Sequence, residues 1–79
     1  MSVIHLQALD KIREQDWHGA HQLIQQYSDP LACLIHGYLH RIEGDLSNAA
    51  YWYNRGQEAV PANSLEDELK RLFKLARQD

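Results

Sequence analysis

Cysteine is almost absent from this chain, and proline and glycine are sparse: the 79 residues include one cysteine, two prolines and four glycines. A lone Cys33 excludes an internal disulfide and suits a reducing compartment, so a cytoplasmic location is expected. No apolar run approaches the roughly 18 residues of a membrane helix, so no membrane partner is expected. The start, MSVIHLQALDKIREQDW, lacks a basic segment followed by an apolar stretch, and no signal peptide is expected. Charge of one sign is not concentrated anywhere. Eight Lys and Arg are interspersed with eleven Asp and Glu, for a net charge of −3, and the absence of a basic patch argues against nucleic acid as a partner. Strand alternation and Asn-Gly or Asp-Gly hairpin turns are missing, which removes the β classes. So are the Gly-x-Ser-x-Gly turn, the phosphate loop and the dinucleotide fingerprint. These absences point away from an enzyme and imply no resident cofactor.

What remains is ordinary globular material, with 44% hydrophobic and 24% charged residues. Turn signals cut it into five helical pieces. Ser2 would cap a first helix reaching about Gln15, with Ile4, Ala8 and Ile12 on one face. Asp16 would cap a second, from Trp17 to about Tyr27. Ser28-Asp29-Pro30 ends it and opens a third, with Asp29 as cap and Pro30 at the first helical position, where its missing N–H is harmless. That helix runs to about Glu43. Gly44-Asp45 repeats the stop-and-cap pattern and starts a fourth helix with Leu46, Ala49, Ala50 and Tyr53 on one face. Pro61-Ala62-Asn63 breaks the chain. Ser64 and Asp67 then resemble a capping box, and Leu65, Leu69, Leu72, Phe73 and Ala76 give the last helix a continuous apolar stripe. The expected architecture is all-α, one domain. It comprises a helical hairpin over 2–27, a second over 30–58, and a final helix over 64–78 that caps the pair, packed on the third and fourth helices.

Asp16-Trp17-His18-Gly19-Ala20 and Asp45-Leu46-Ser47-Asn48-Ala49 share the frame Asp-apolar-x-x-Ala, 29 residues apart. Each frame lies at the turn of a predicted hairpin, so the chain reads as a repeat. On these residues it resembles the tetratricopeptide family. Gly37, the Gly44-Asp45 turn, Ala49, Tyr53 and Pro61 match that family's pattern in the second hairpin. Ala8, Ala20 and Ile24 match it more loosely in the first. Gly56 stands where the family has Ala, and His36 and His40 where it prefers Leu and Tyr. The stretch Leu39–Asp45 with Asn48–Arg55 also looks like a family of small helical bacterial proteins, and that likeness implies no activity. The tetratricopeptide resemblance implies a module that binds a protein or peptide, or a second copy of itself. Leu34, Tyr38 and Ile42 would line its groove, apolar enough to require a cover by the last helix or a second subunit. Independently of any family, Gly37 and Gly56 inside or at the end of helices mark close backbone approach, because a mid-helix Gly costs about 1 kcal/mol relative to Ala.

Histidine is the unusual abundance, with five among 79 residues. His36 and His40 stand one turn apart on the third helix, with Cys33 and Glu43 three residues to either side. Such a pair chelates zinc when a third ligand completes it, and His21, Cys33 or Glu43 would supply one. The metal candidates are therefore His36, His40, His21 and Glu43, in an alternative reading as a metal-binding or acid–base site. The bland reading packs both histidines in the hairpin, bonded to Asn48, Tyr53 or a backbone carbonyl. A second constellation, Tyr51, Trp52 and Arg55 with Arg41 and Asn48, is the candidate binding surface, since aromatics beside Arg are common interface anchors. Against that, Tyr51 and Trp52 would pack on the last helix.

Overall fold

The computed structural model describes residues 3–78. These form five helices: α1 (Val3–Arg13), α2 (Trp17–Ile24), α3 (Pro30–Ile42), α4 (Leu46–Arg55) and α5 (Leu65–Gln78). Among the described residues there is no strand, and no helix is long and apolar enough to cross a membrane. The expected cap at Ser2 lies outside the described residues.

The starts of the helices follow the sequence signals. The carboxylates of Asp16, Asp29 and Asp45 accept the backbone N–H of Gly19, Ala32 and Asn48, and Ser64 Oγ accepts that of Asp67. The ends come earlier than expected. α1 stops at Arg13, because Gln15 takes a left-handed φ of 66° and the Gln15 and Asp16 amides donate back to Ile12 and Lys11. α2 stops at Ile24 rather than Tyr27. Ile24 is its last buried residue, and Asp29 must be extended ahead of Pro30. At the end of α4 it is Gln57, with φ 71°, that turns left-handed, and Gly56 does not. Gly56 is there for space instead: a Cβ would lie 2.9 Å from the carbonyl oxygen of Pro30.

α3 is the centre of the molecule and packs against all four other helices. Ala32–His40 are buried without interruption, so both its apolar stripe and its histidine face are covered. α4 lies closest. A Cβ on Gly37 would sit 2.6 Å from Cδ2 of Tyr53 and 3.1 Å from the Ala49 carbonyl oxygen. Tyr53 is fully buried and cannot swing away. Gly37→Ala is therefore expected to lower stability by about 1 kcal/mol and at most about 2, an overpacking cost of roughly 1–3 kcal/mol set against about 1 kcal/mol of helix propensity. Urea unfolding measures this, and a midpoint equal to or above wild type would mean that α4 slides aside freely.

Two packing expectations change. The last helix contacts α3 and α1, not the backbone of α4. α4 reaches it through the long side chain of Tyr53, bonded to Glu68. On α5, Leu72 and Phe73 are buried, Leu69 is half-buried and Leu65 is exposed. Leu46, expected on the inner face of α4, is 65% exposed; it sits in the first turn, directly after the Gly44-Asp45 bend. The apolar groove residues Leu34 and Tyr38 are covered from within, the Tyr38 hydroxyl donating to the Leu65 carbonyl at 2.7 Å. Ile42, at the end of the groove, stays 40% exposed.

Beside this interface lies a buried polar network. Glu68 has no exposed surface and accepts from the Tyr53 hydroxyl at 2.7 Å, Asn63 Nδ2 at 2.9 Å and Arg71 Nε at 2.7 Å. Arg71 also forks onto Glu58. Burial alone would raise the pKa of Glu68, but the bonds from Arg71, Asn63 and Tyr53 outweigh it and hold the carboxyl below its usual range.

Candidate metal centre

Two short helices build the site. α2 begins on Asp16, whose carboxylate occupies the space above Gly19, where any Cβ would collide with it. Trp17, in the first turn, donates its indole N–H to the Leu39 carbonyl at 2.7 Å and so fixes the start of α2 against the middle of α3. Helical side chains lean over the turn that precedes them, and His21 accordingly stacks on Trp17, with ring centroids 4.9 Å apart and planes 7° apart. α3 presents His36 and His40 one turn apart, with centroids 5.1 Å apart.

The three histidines converge. One ligand atom from each of His21, His36 and His40 lies within 4.8 Å of the others. Nε2 of His21 and Nε2 of His36 are 3.1 Å apart. A hydrogen bond between them requires one ring to donate. If His36 donates, its Nδ1 is a bare acceptor; if His21 donates, His36 Nδ1 carries an unpaired proton. In either case His36 Nδ1 is buried without a partner. The same 3.1 Å is also close to the spacing of about 3.3 Å between two imidazole nitrogens on a tetrahedral zinc. His36 is further sandwiched against Trp52, with centroids 3.8 Å apart and planes 9° apart.

Electrostatics keep the rings in the ligand-competent form. Burial, then His21, His40 and Arg55, push the pKa of His36 down to about 4. Burial, then His40, lower that of His21, with Glu43 opposing and His18 adding to the shift. His40 Nδ1 faces Glu43 Oε1 at 2.5 Å. That contact orients the ring and leaves Nε2 as its free nitrogen, the arrangement of a carboxylate-supported metal histidine.

Comparison of the chain with family models, with curated proteins and with solved structures finds no match. The site therefore stands on its own geometry.

Of the sequence candidates, His21, His36 and His40 come together, and Glu43 joins them as a support to His40. Cys33 does not; it is buried, its thiol faces the Ser28 carbonyl at 3.6 Å, and burial raises its pKa. The expected bonds from the histidines to Asn48 or Tyr53 are not made, because Tyr53 is taken by Glu68 and His36 meets His21 instead. The candidate binding surface divides. Tyr51, Trp52 and Arg55 form one cluster, the two rings edge-on and the Arg55 guanidinium lying 5.7 Å from the Tyr51 ring and 5.1 Å from the Trp52 ring. Trp52 packs on His36, not on the last helix. Arg41 turns away to bond Asn63 through its side chain and carbonyl, at 3.0 and 2.7 Å. Asn48 occupies the first turn of α4, its amide held by Asp45. The sequence reading missed the two indole walls of the site. The signal for Trp17 was its four-residue spacing from His21 on one helix.

Proposed function

We propose that this protein binds a divalent transition-metal ion, zinc in the first place, through His21, His36 and His40. The observation that carries this reading is the convergence of the three ring nitrogens within 4.8 Å across the α2–α3 interface. Three neutral imidazoles without a thiolate suit zinc, nickel, cobalt or copper and disfavour magnesium or calcium. Binding would clip α2 to α3 and so act as a staple in a small fold without disulfides.

Titration of the untagged protein with zinc tests this. One equivalent is expected to bind. At free zinc a hundredfold above Kd the fold should gain about 2.7 kcal/mol, and chelator should remove that gain. His21→Ala and His40→Ala should each abolish it. A melting curve indifferent to saturating zinc, with no ion retained after dialysis, defeats the proposal.

A second reading, a surface that docks a protein or a second copy of this chain, is supported by Tyr51, which is 52% exposed under Arg55. Sedimentation over a wide concentration range distinguishes self-association from a monomer.

A further inference from the structure

The three histidines leave a tetrahedral ion one ligand short, and the donors around the site are few. Glu43 is engaged on Nδ1 of His40, and Asp45, whose carboxylate lies with Glu43 near His40, caps α4 by accepting the Asn48 amide. Cys33 faces the Ser28 carbonyl. The flanks of the site are indole rings, Trp17 on His21 and Trp52 on His36, and neither offers a lone pair. One further histidine stands on the same helix as His21. His18 precedes it by three residues, and residues three apart on a helix are surface neighbours with about 5–6 Å between their Cβ atoms. His21 leans back over the turn that carries Trp17 and His18, and stacks there on Trp17.

We propose that His18 is the fourth ligand, so that the ion is held between two facing chelating pairs, His18 and His21 on α2 and His36 and His40 on α3. This rests on the metal-binding reading above. The ring of His18 is exposed, and among the described residues no hydrogen bond or ion pair holds it, so it is free to rotate toward the ion. Metal sites between helices are commonly assembled in this way, from inward-projecting residues at three- and four-residue spacings on facing helices. Four protein ligands make the site closed, and closed sites are the structural rather than the catalytic kind of zinc centre. The ligand class is therefore a resident zinc-like ion with no position for substrate.

X-ray absorption on the zinc-loaded protein, together with zinc titrations of wild type and His18→Ala, tests this. Four imidazoles around the ion are expected in wild type, and three with one oxygen in His18→Ala. Affinity should fall at least about tenfold, since even loss of a supporting partner of a ligand costs that much. The metal-free variant should melt as wild type does, because His18 is exposed and unbonded; this separates a ligand from a packing role. Three imidazoles and an oxygen in wild type, with equal zinc affinity in His18→Ala, would overturn the fourth ligand and leave the three-histidine site standing. Failure of wild type to bind zinc at all would overturn both.

Discussion

Glu68→Ala is expected to destabilise the protein by about 3–5 kcal/mol, the usual cost of removing one partner from a buried charged network. A domain of this size has a total stability of about 4–12 kcal/mol, so the loss is a large fraction of the whole and would nearly unfold the variant if the total lies at the lower end. The reason lies in what the carboxylate leaves behind. The Tyr53 hydroxyl is fully buried and loses the acceptor of its proton, since Arg41, which also bonds it, can only donate. Arg71 keeps Glu58 but loses the bonds from its Nε and Nη2 to Glu68. Asn63 loses the acceptor for its amide, although its side-chain and backbone oxygens still accept from Arg41, and it is this residue that ties the α4–α5 connection down. Tyr53→Phe should cost only about 1–2 kcal/mol, since the ring still fills its place beside Gly37 and one acceptor of a shared carboxylate is left underused. In the double variant Tyr53→Phe/Glu68→Ala the losses should be less than additive, because the hydroxyl stranded by the second change is already gone. Denaturant unfolding of the four proteins measures the cycle. A loss below about 1 kcal/mol in Glu68→Ala would show that water replaces the carboxylate, and strict additivity would show that Tyr53 and Glu68 are not energetically linked.

That network also marks the limit of what was legible in the sequence. The all-helical fold was readable because each start carries its own local chemistry: aspartates at 16, 29 and 45, and Ser64, all bond the backbone as their positions implied. Gly37 was readable as a close approach, because an unexplained mid-helix Gly must be compensated by contact. Glu68 was not. It follows Glu66 and Asp67 in the first turn of α5, where acidic residues are expected on the surface simply to complement the helix dipole. Nothing local distinguishes the one that turns inward; the partners that make burial tolerable come from α4 and from the connection before α5. The direction of α5 was hidden for the same reason, since an apolar stripe states that a helix is covered and not by which neighbour. For the site, His36 and His40 were visible as a helical pair. Their burial required α3 to be covered on two sides, and the convergence with His21 depends on the Trp17 bond to the Leu39 carbonyl, a contact between residues 22 apart.

The metal-free protein is expected to lose stability steeply on mild acidification, between about pH 6.5 and 4, and His36 sets the window. Its folded pKa is about 4, against 6.5 for the unfolded chain. Above pH 6.5 the ring is neutral in both states and contributes no pH dependence. Between the two values the unfolded chain binds a proton that the folded protein refuses, so unfolding becomes progressively more favourable as pH falls. Below about pH 4 both states are protonated and the loss from this residue is complete, at about 3 kcal/mol for a shift of this size. The groups facing the ring act in the same sense. His21 and His40 repel a proton on His36, Arg55 beyond Trp52 does so too, and the lowered pKa of His21 adds a loss of the same sign below pH 6.5. Glu68 is also lowered, so its contribution is lost from about its ordinary value of 4.5 downward, at the foot of the histidine window. His36→Phe should separate these terms: it retains an aromatic face for Trp52 and removes the titrating nitrogen. Unfolding free energies at pH 7.5 and pH 4.5 should differ markedly in wild type, and by about 3 kcal/mol less in His36→Phe. Zinc should steepen the wild-type dependence further, because protons compete with the ion for the same nitrogens. Equal stability of the metal-free wild type at the two pH values, or an unchanged slope in His36→Phe, would show that the ring takes up its proton in the folded state without opening the α2–α3 interface.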